Sequence, residues 1–188
     1  MNKIFLVICL CFSTYARADF LQDVGDLASA LKSKAGQIET AFSPEGGAEQ
    51  LVLKVIDNSE LSLKVAAYSF TSVNIVRALI RAKRRGVIVE VLVDEKANKG
   101  KANYAATNLL VNADIPTRTI SRYAIHHDKY IISDGITLQT GSFNYSAAAA
   151  KSNSENVIVV WNQLNVASSY ANHWKARWED GVPYSSKY

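Results

Sequence analysis

The chain has 188 residues, 48% hydrophobic and 20% charged, with a formal charge of +4. The two cysteines, Cys9 and Cys11, both stand in the first eleven residues, and without them the three histidines are too few for a structural zinc site, so stability must come from a packed core rather than from disulfides.

Residues 1–18 read as a secretory signal, with Lys3 in the charged region, an apolar run from Ile4 to Phe12 and Ala16-Arg17-Ala18 as the cleavage site. Cleavage between Ala18 and Asp19 would leave 19–188 as one domain, periplasmic or secreted. The apolar run falls short of the ~20 residues that a spanning helix needs. Cys9 and Cys11 follow bulky Ile8 and Leu10, which disfavours lipid attachment, and both leave with the signal. Lys3 and Arg17 leave too, so +4 less two cations gives +2, a bulk charge that says little about partners.

Beyond the signal, the pattern predicts a polar helix over 21–38, a short strand near Thr40–Ser43 and a helix over Glu45–Asp57. A strand over Leu61–Phe70, a helix over Val73–Arg85 and a strand over Val87–Val93 follow. Then come a helix over Ala102–Ala113, a short strand at Thr117–Ser121, a hairpin over 127–143, a strand over Asn156–Trp161 and a helix over Leu164–Glu179. This alternation predicts an α/β fold: one domain with a mixed, largely parallel sheet and helices on both faces. Arg81, Lys83, Arg84 and Arg85 precede Gly86, where cations suit the end of a helix. Lys96, Lys99 and Lys101 fall in a polar loop after a strand, where open α/β sheets place ligands, and are the candidate nucleic-acid contacts.

The hairpin carries the chemistry. Tyr130-Ile131-Ile132 and Thr137-Leu138-Gln139-Thr140 are strand-forming, and Asp134-Gly135 between them predicts a two-residue turn. That turn would set Lys129 opposite Thr140 and His127 opposite Ser142. His127, Lys129, Ser142 and Asn144 then share one face, with opposed Cβ atoms ~5 Å apart. An imidazole, an ammonium, a hydroxyl and an amide in one place suit attack on phosphorus and stabilisation of phosphate oxygens. Asp134 has the wrong parity for that face and serves the turn. At Gly141 the missing side chain would let a ligand approach the backbone. His126 points to the opposite face and reads as a packing residue, and His173 as a surface or packing residue of the last helix. Glu155, at the mouth of the strand 156–161, is either a surface carboxylate or the acceptor for the second ring N–H of His127.

His127, Lys129, Asp134, Gly141, Ser142 and Asn144 fit H-x-K-x4-D-x6-G-S-x-N, and by this motif the chain resembles the phospholipase D superfamily. Glu39–Gly46, Ala67–Ser72 and Asn153–Asn156 also resemble its small secreted bacterial endonucleases, which carry one motif per chain. The resemblance implies a phospholipase D-like fold, His127 as nucleophile, Lys129, Ser142 and Asn144 as phosphate ligands, and Glu155 as the carboxylate orienting the imidazole. In-line displacement also needs a proton donor on the far side of phosphorus, which one imidazole cannot supply. The resemblance supplies it from a second copy, implying a homodimer with the site at its two-fold interface. DNA, and RNA with it, would be the substrate.

No H-E-x-x-H, phosphate-binding glycine loop or acidic cluster is present, so neither metal nor cofactor is expected. No amphipathic segment that would dock on a bilayer stands out, and no stable membrane association is expected. The competing readings are a phospholipid phosphodiesterase, since the motif recognises only the phosphodiester, and a module that binds nucleic acid without cutting it.

Overall fold

The structure, a computed structural model, describes residues 36–186 together with Gln22 and Gly25. The chain divides into two units, 1–37 and 38–188. In the first, Gln22 and Gly25 are helical; the expected signal and most of the helix expected over 21–38 lie outside the described residues, and that helix does not reach its expected end, since Gly36 is in a turn and Ile38 opens a strand.

The second unit runs β1 (Ile38–Ser43), α1 (Ala48–Asp57), β2 (Ser62–Ala67), α2 (Val73–Arg84), β3 (Ile88–Asp94), α3 (Lys101–Val111), β4 (Thr117–Ile120), β5 (Lys129–Ser133), β6 (Thr137–Gly141), α4 (Ala147–Lys151), β7 (Glu155–Val160), α5 (Leu164–Asp180) and β8 (Val182–Pro183). The eight strands form one sheet in the order β1-β7-β6-β5-β2-β3-β4-β8. The expected mixed sheet flanked by helices is present, but its balance differs from expectation. Only β2–β3 and β3–β4 are parallel; the other five pairings are antiparallel. Parallel neighbours require a helical crossover, which only α2 and α3 supply here, whereas the tight β5–β6 hairpin forces antiparallel pairing on the middle of the sheet.

Helix α2 shows why these elements form. The Ser72 side chain caps it, accepting from Ile75 N at 3.3 Å, and Ile75, Val76, Ala78, Leu79 and Ala82 bury one helical face. That face joins Val52, Val55 and Ile56 of α1, Leu110 of α3, Ala149 of α4 and the inward residues Leu63, Val65, Val89 and Val91 of the sheet in the larger core. On the opposite sheet face, Ala66, Tyr130, Ile132 and Leu138 pack against Ala167 and Trp174 of α5. Two elements were not anticipated: α4, a single turn capped by Ser146 (Ala149 N to Oγ, 3.2 Å), and the two-residue edge strand β8. No helix among the described residues is long and apolar enough to cross a membrane.

The register brings four strand ends to one place. Ala67, closing β2, pairs with Lys129, opening β5, while Gly141, closing β6, pairs with Val157 near the start of β7.

Candidate active site

The hairpin turns where expected, but not in the expected register. Asp134 and Gly135 have φ of 54° and 70°, and Ile136 N donates to Ser133 O at 3.1 Å, closing the two-residue turn. Ser133 then pairs with Thr137, and Tyr130 with Thr140. Ile136 is an extra residue before the ladder begins, so the pairing is one residue off the expected Lys129–Thr140, and such a slip reverses which residues share a face. His127 lies ahead of β5 rather than on it, and the expected cross-strand pair of His127 with Ser142 does not form.

The groups nevertheless gather, because β6 ends in an unusual way. Gly141 has φ 151°, outside the range that side chains tolerate. A Cβ there would lie 2.2 Å from Asn156 O. The space that its missing side chain opens is therefore filled by the β7 backbone and not by a ligand, which corrects the expectation for this glycine. Ser142 lands at the mouth of β7, where its Oγ accepts from Asn156 N (3.1 Å) and Nδ2 (3.2 Å) and donates to Glu155 Oε2 (2.5 Å). The other Glu155 oxygen accepts from Asn153 Nδ2 at 2.9 Å. Among the described residues neither oxygen is hydrogen-bonded to the His127 ring, so within one chain Glu155 does not orient the imidazole directly.

Tyr68, just past β2, joins the two basic groups. Its ring meets that of His127 edge-on with centroids 4.6 Å apart, and Lys129 Nζ lies 5.1 Å from its centroid. The His127 side of this contact is exposed. Lys129 is only 6% exposed and donates to His127 O at 2.8 Å. Burial pulls the Lys129 ammonium below the usual lysine range, and the charges of Asp128 and Glu155 oppose that pull. Asn144 is half-buried with its Oδ1 unpartnered among the described residues; no contact ties it to the rest of the cluster.

The other two histidines have structural partners. His126 is 3% exposed, burial lowers its pKa, and its amide donates to Asp94 Oδ2 at 2.7 Å. His173 Nε2, on α5, lies 2.9 Å from Asp128 Oδ2.

Asp134 does more than turn the chain. Its carboxylate accepts from the backbone N–H groups of Glu60 (3.1 Å), Leu61 (2.8 Å) and Ser62 (2.9 Å), pinning the hairpin to the start of β2. Asp134→Ala strands these donors and leaves alanine at positive φ, so it should cost roughly 1–3 kcal/mol of stability in denaturant unfolding. The kcat of the folded variant should stay within a few-fold of wild type, since no Asp134 contact reaches His127 or Lys129.

The basic residues divide. Arg81 bonds Asp57 at 2.9 Å and Arg85 donates to the carbonyls of Ile56 and Ser59, so both tie α2 to the end of α1. Lys96 is exposed, with Nζ 3.5 Å from Ala124 O on the segment leading to His127. Lys99 is paired with Glu95 at 3.0 Å, and Lys101 is exposed at the start of α3. Among the described residues no three His, Cys, Asp or Glu side chains are grouped to hold a metal ion.

The family profile described as "Cardiolipin synthase, PLD-like domain" matches residues 52–178, a span that contains His127, Lys129, Ser142, Asn144 and Glu155. A protein named phospholipase D from Rickettsia conorii is 37% identical over 141 residues, 75% of this chain and 69% of the relative. The chain belongs to the phospholipase D superfamily. The solved structure of the phospholipase D family member Nuc from Salmonella typhimurium superposes with a TM-score of 0.79 and 47% identity, covering 80% of this chain and 99% of that one. NucT from Helicobacter pylori, at 20% identity and a TM-score of 0.69 over 79% of this chain and 100% of its own, shares the fold. With the motif of this superfamily intact, the chain is a phosphodiesterase.

Sequence reasoning missed Tyr68, Asn153 and Asn156 as neighbours of the site. Tyr68 and both asparagines fall in the stretches Ala67–Ser72 and Asn153–Asn156 that resemble the family, which was their one usable signal.

Proposed function

We propose that the protein is a secreted, metal-independent endonuclease hydrolysing DNA, and RNA, with little sequence preference, at a site shared by two copies of the chain. The observation that carries this reading is the exposed His127 ring held against Tyr68 beside the buried Lys129 ammonium. The neutral imidazole attacks phosphorus, forming an N–P bond as the bond to the leaving oxygen breaks. The protonated His127 of the second copy gives its proton to that oxygen. Water, deprotonated by the second imidazole, then displaces the first from phosphorus.

The second copy is required because the chain has three histidines and two of them are committed elsewhere: the His126 ring is buried, its Nδ1 3.4 Å from Asp128 Oδ2, and the His173 ring sits on the same carboxylate oxygen. Lys129 and Asn144 are the phosphate ligands of first resort. Ser142 can join them only by turning its one proton from Glu155 to the phosphate. Glu155, beside Lys129 and Ser142, favours the charged ammonium.

A phospholipid substrate is the second reading, favoured by the name of the Rickettsia relatives. DNA is preferred for the likeness to single-motif nucleases and for Lys96 and Lys101, exposed cations after β3. Purified protein in EDTA should nick plasmid DNA at an undiminished rate and leave phosphatidylcholine vesicles intact. Lipid turnover without nicking reverses the ranking, and nicking lost in EDTA but restored by added metal overturns metal independence.

A further inference from the structure

We propose that Asp94 is the positioning residue for His127, acting through the backbone of the segment that delivers it; the inference rests on the reading of His127 as nucleophile. Asp94 closes β3 and is 1% exposed. Among the described residues it has no cationic side-chain partner within ion-pair distance. A carboxylate buried in that way is costly unless its oxygens are satisfied by donors. Both are: Oδ1 accepts from Ala97 N and Oδ2 from His126 N, each at 2.7 Å.

These two bonds do different jobs. The Ala97 bond forms the turn after β3, which an asparagine could support equally well. The His126 bond reaches 32 residues along the chain and holds the peptide one residue before His127, in a stretch with no strand pairing of its own. The two donors meet different oxygens, so a carboxylate accepts both where an amide would turn its NH2 toward one of them, which accounts for an anion at a site with no cation.

The same turn also fixes the surface on which the His127 ring rests. Asn98 donates to Asp94 O (2.7 Å) and to Tyr68 O (2.5 Å), while its Oδ1 accepts from Phe70 N (3.0 Å) and from Asn103 Nδ2 (2.8 Å). All four hydrogen-bonding capacities of Asn98 are used. The end of β3 thus grips His127 from behind through Asp94 and supports Tyr68, its ring neighbour, through Asn98. Displacement of a reacting group by about 1 Å can lower a rate by about 10²-fold.

The test is Asp94→Asn, assayed on bis(p-nitrophenyl) phosphate and followed by NMR with ¹³Cε1-labelled histidine. The amide keeps an oxygen for one donor and sets its NH2 against the peptide N–H of the other. The expected result is a kcat lower by about 10- to 100-fold with KM within about two-fold, and a shifted or broadened His127 signal with that of His173 unchanged. A folded variant with wild-type kcat and an unmoved His127 signal overturns the proposal. If the variant does not fold, replacing His126 by its α-hydroxy acid removes the one donated N–H while leaving Asp94 in place. That protein should show the same loss, and wild-type kcat in it again overturns the proposal. Should the wild-type protein cleave no phosphodiester, the reading of the site fails separately and the His127 signal alone decides the role of Asp94.

Discussion

Replacing His127 with alanine should lower kcat on any phosphodiester by about four orders of magnitude or more, with little change in melting temperature. The size follows from the role: loss of a nucleophile that forms a covalent intermediate removes the pathway itself, and such losses reach about 10⁴- to 10⁶-fold in enzymes with comparable chemistry. The stability expectation follows from the surroundings. The His127 side chain is exposed and its ring contact is with Tyr68, so truncation opens no cavity and strands no buried partner. Rapid quench with ³²P-labelled substrate should trap a phosphorylated wild-type protein, acid-labile and base-stable, and no label on His127→Ala. A variant retaining a tenth of wild-type activity would remove His127 from the role.

Lys129→Met should lower kcat by about 10²- to 10³-fold, the range found when one donor to a developing oxyanion is removed. Methionine keeps an unbranched apolar stem to lie along Tyr68, so the loss reports the charge. Because burial lowers the Lys129 pKa, the folded state holds the ammonium less readily than the unfolded chain does. Its charged form therefore opposes folding below the folded pKa, and that cost fades as pH rises to the unfolded value. Removing the charge should not lower the melting temperature at neutral pH. The same direction of shift means that wild-type activity should fall on the alkaline side before an ordinary lysine would titrate. Loss of activity in Lys129→Met with an equal loss of stability would point to packing instead.

How much of this was legible in the sequence depends on how local each cause is. Motif identities and the Asp134-Gly135 turn are set by nearest neighbours, and the strands and helices from Thr40 to Glu179, the single turn α4 excepted, carry periodicities that place them within a few residues. The register was not legible, since nothing in Ile136 marks it as the residue inserted before the ladder. Gly141 was noticed for its missing side chain, but the occupant of the space is the Asn156 carbonyl on another strand. Asp134 has partners at Glu60, Leu61 and Ser62 more than 70 positions away, beyond any spacing argument. The balance of parallel and antiparallel pairing had the same origin. Strand order decides it, and alternation of β and α does not specify strand order when a hairpin enters the middle of the sheet.

His126, His127 and His173 lie close in sequence or space yet divide in environment: one ring buried beside Asp128, one exposed against Tyr68, one half-exposed and paired with Asp128. That division is the ground for proposing that a second copy completes the site. Wild-type protein and His127→Ala, mixed in varied ratios, unfolded and refolded together, would on this proposal form dimers in statistical proportion, and only those with two imidazoles would hold a complete shared site. Activity should follow the square of the wild-type fraction; a straight line through the same mixtures would show that each chain works alone and would contradict a site built from two copies.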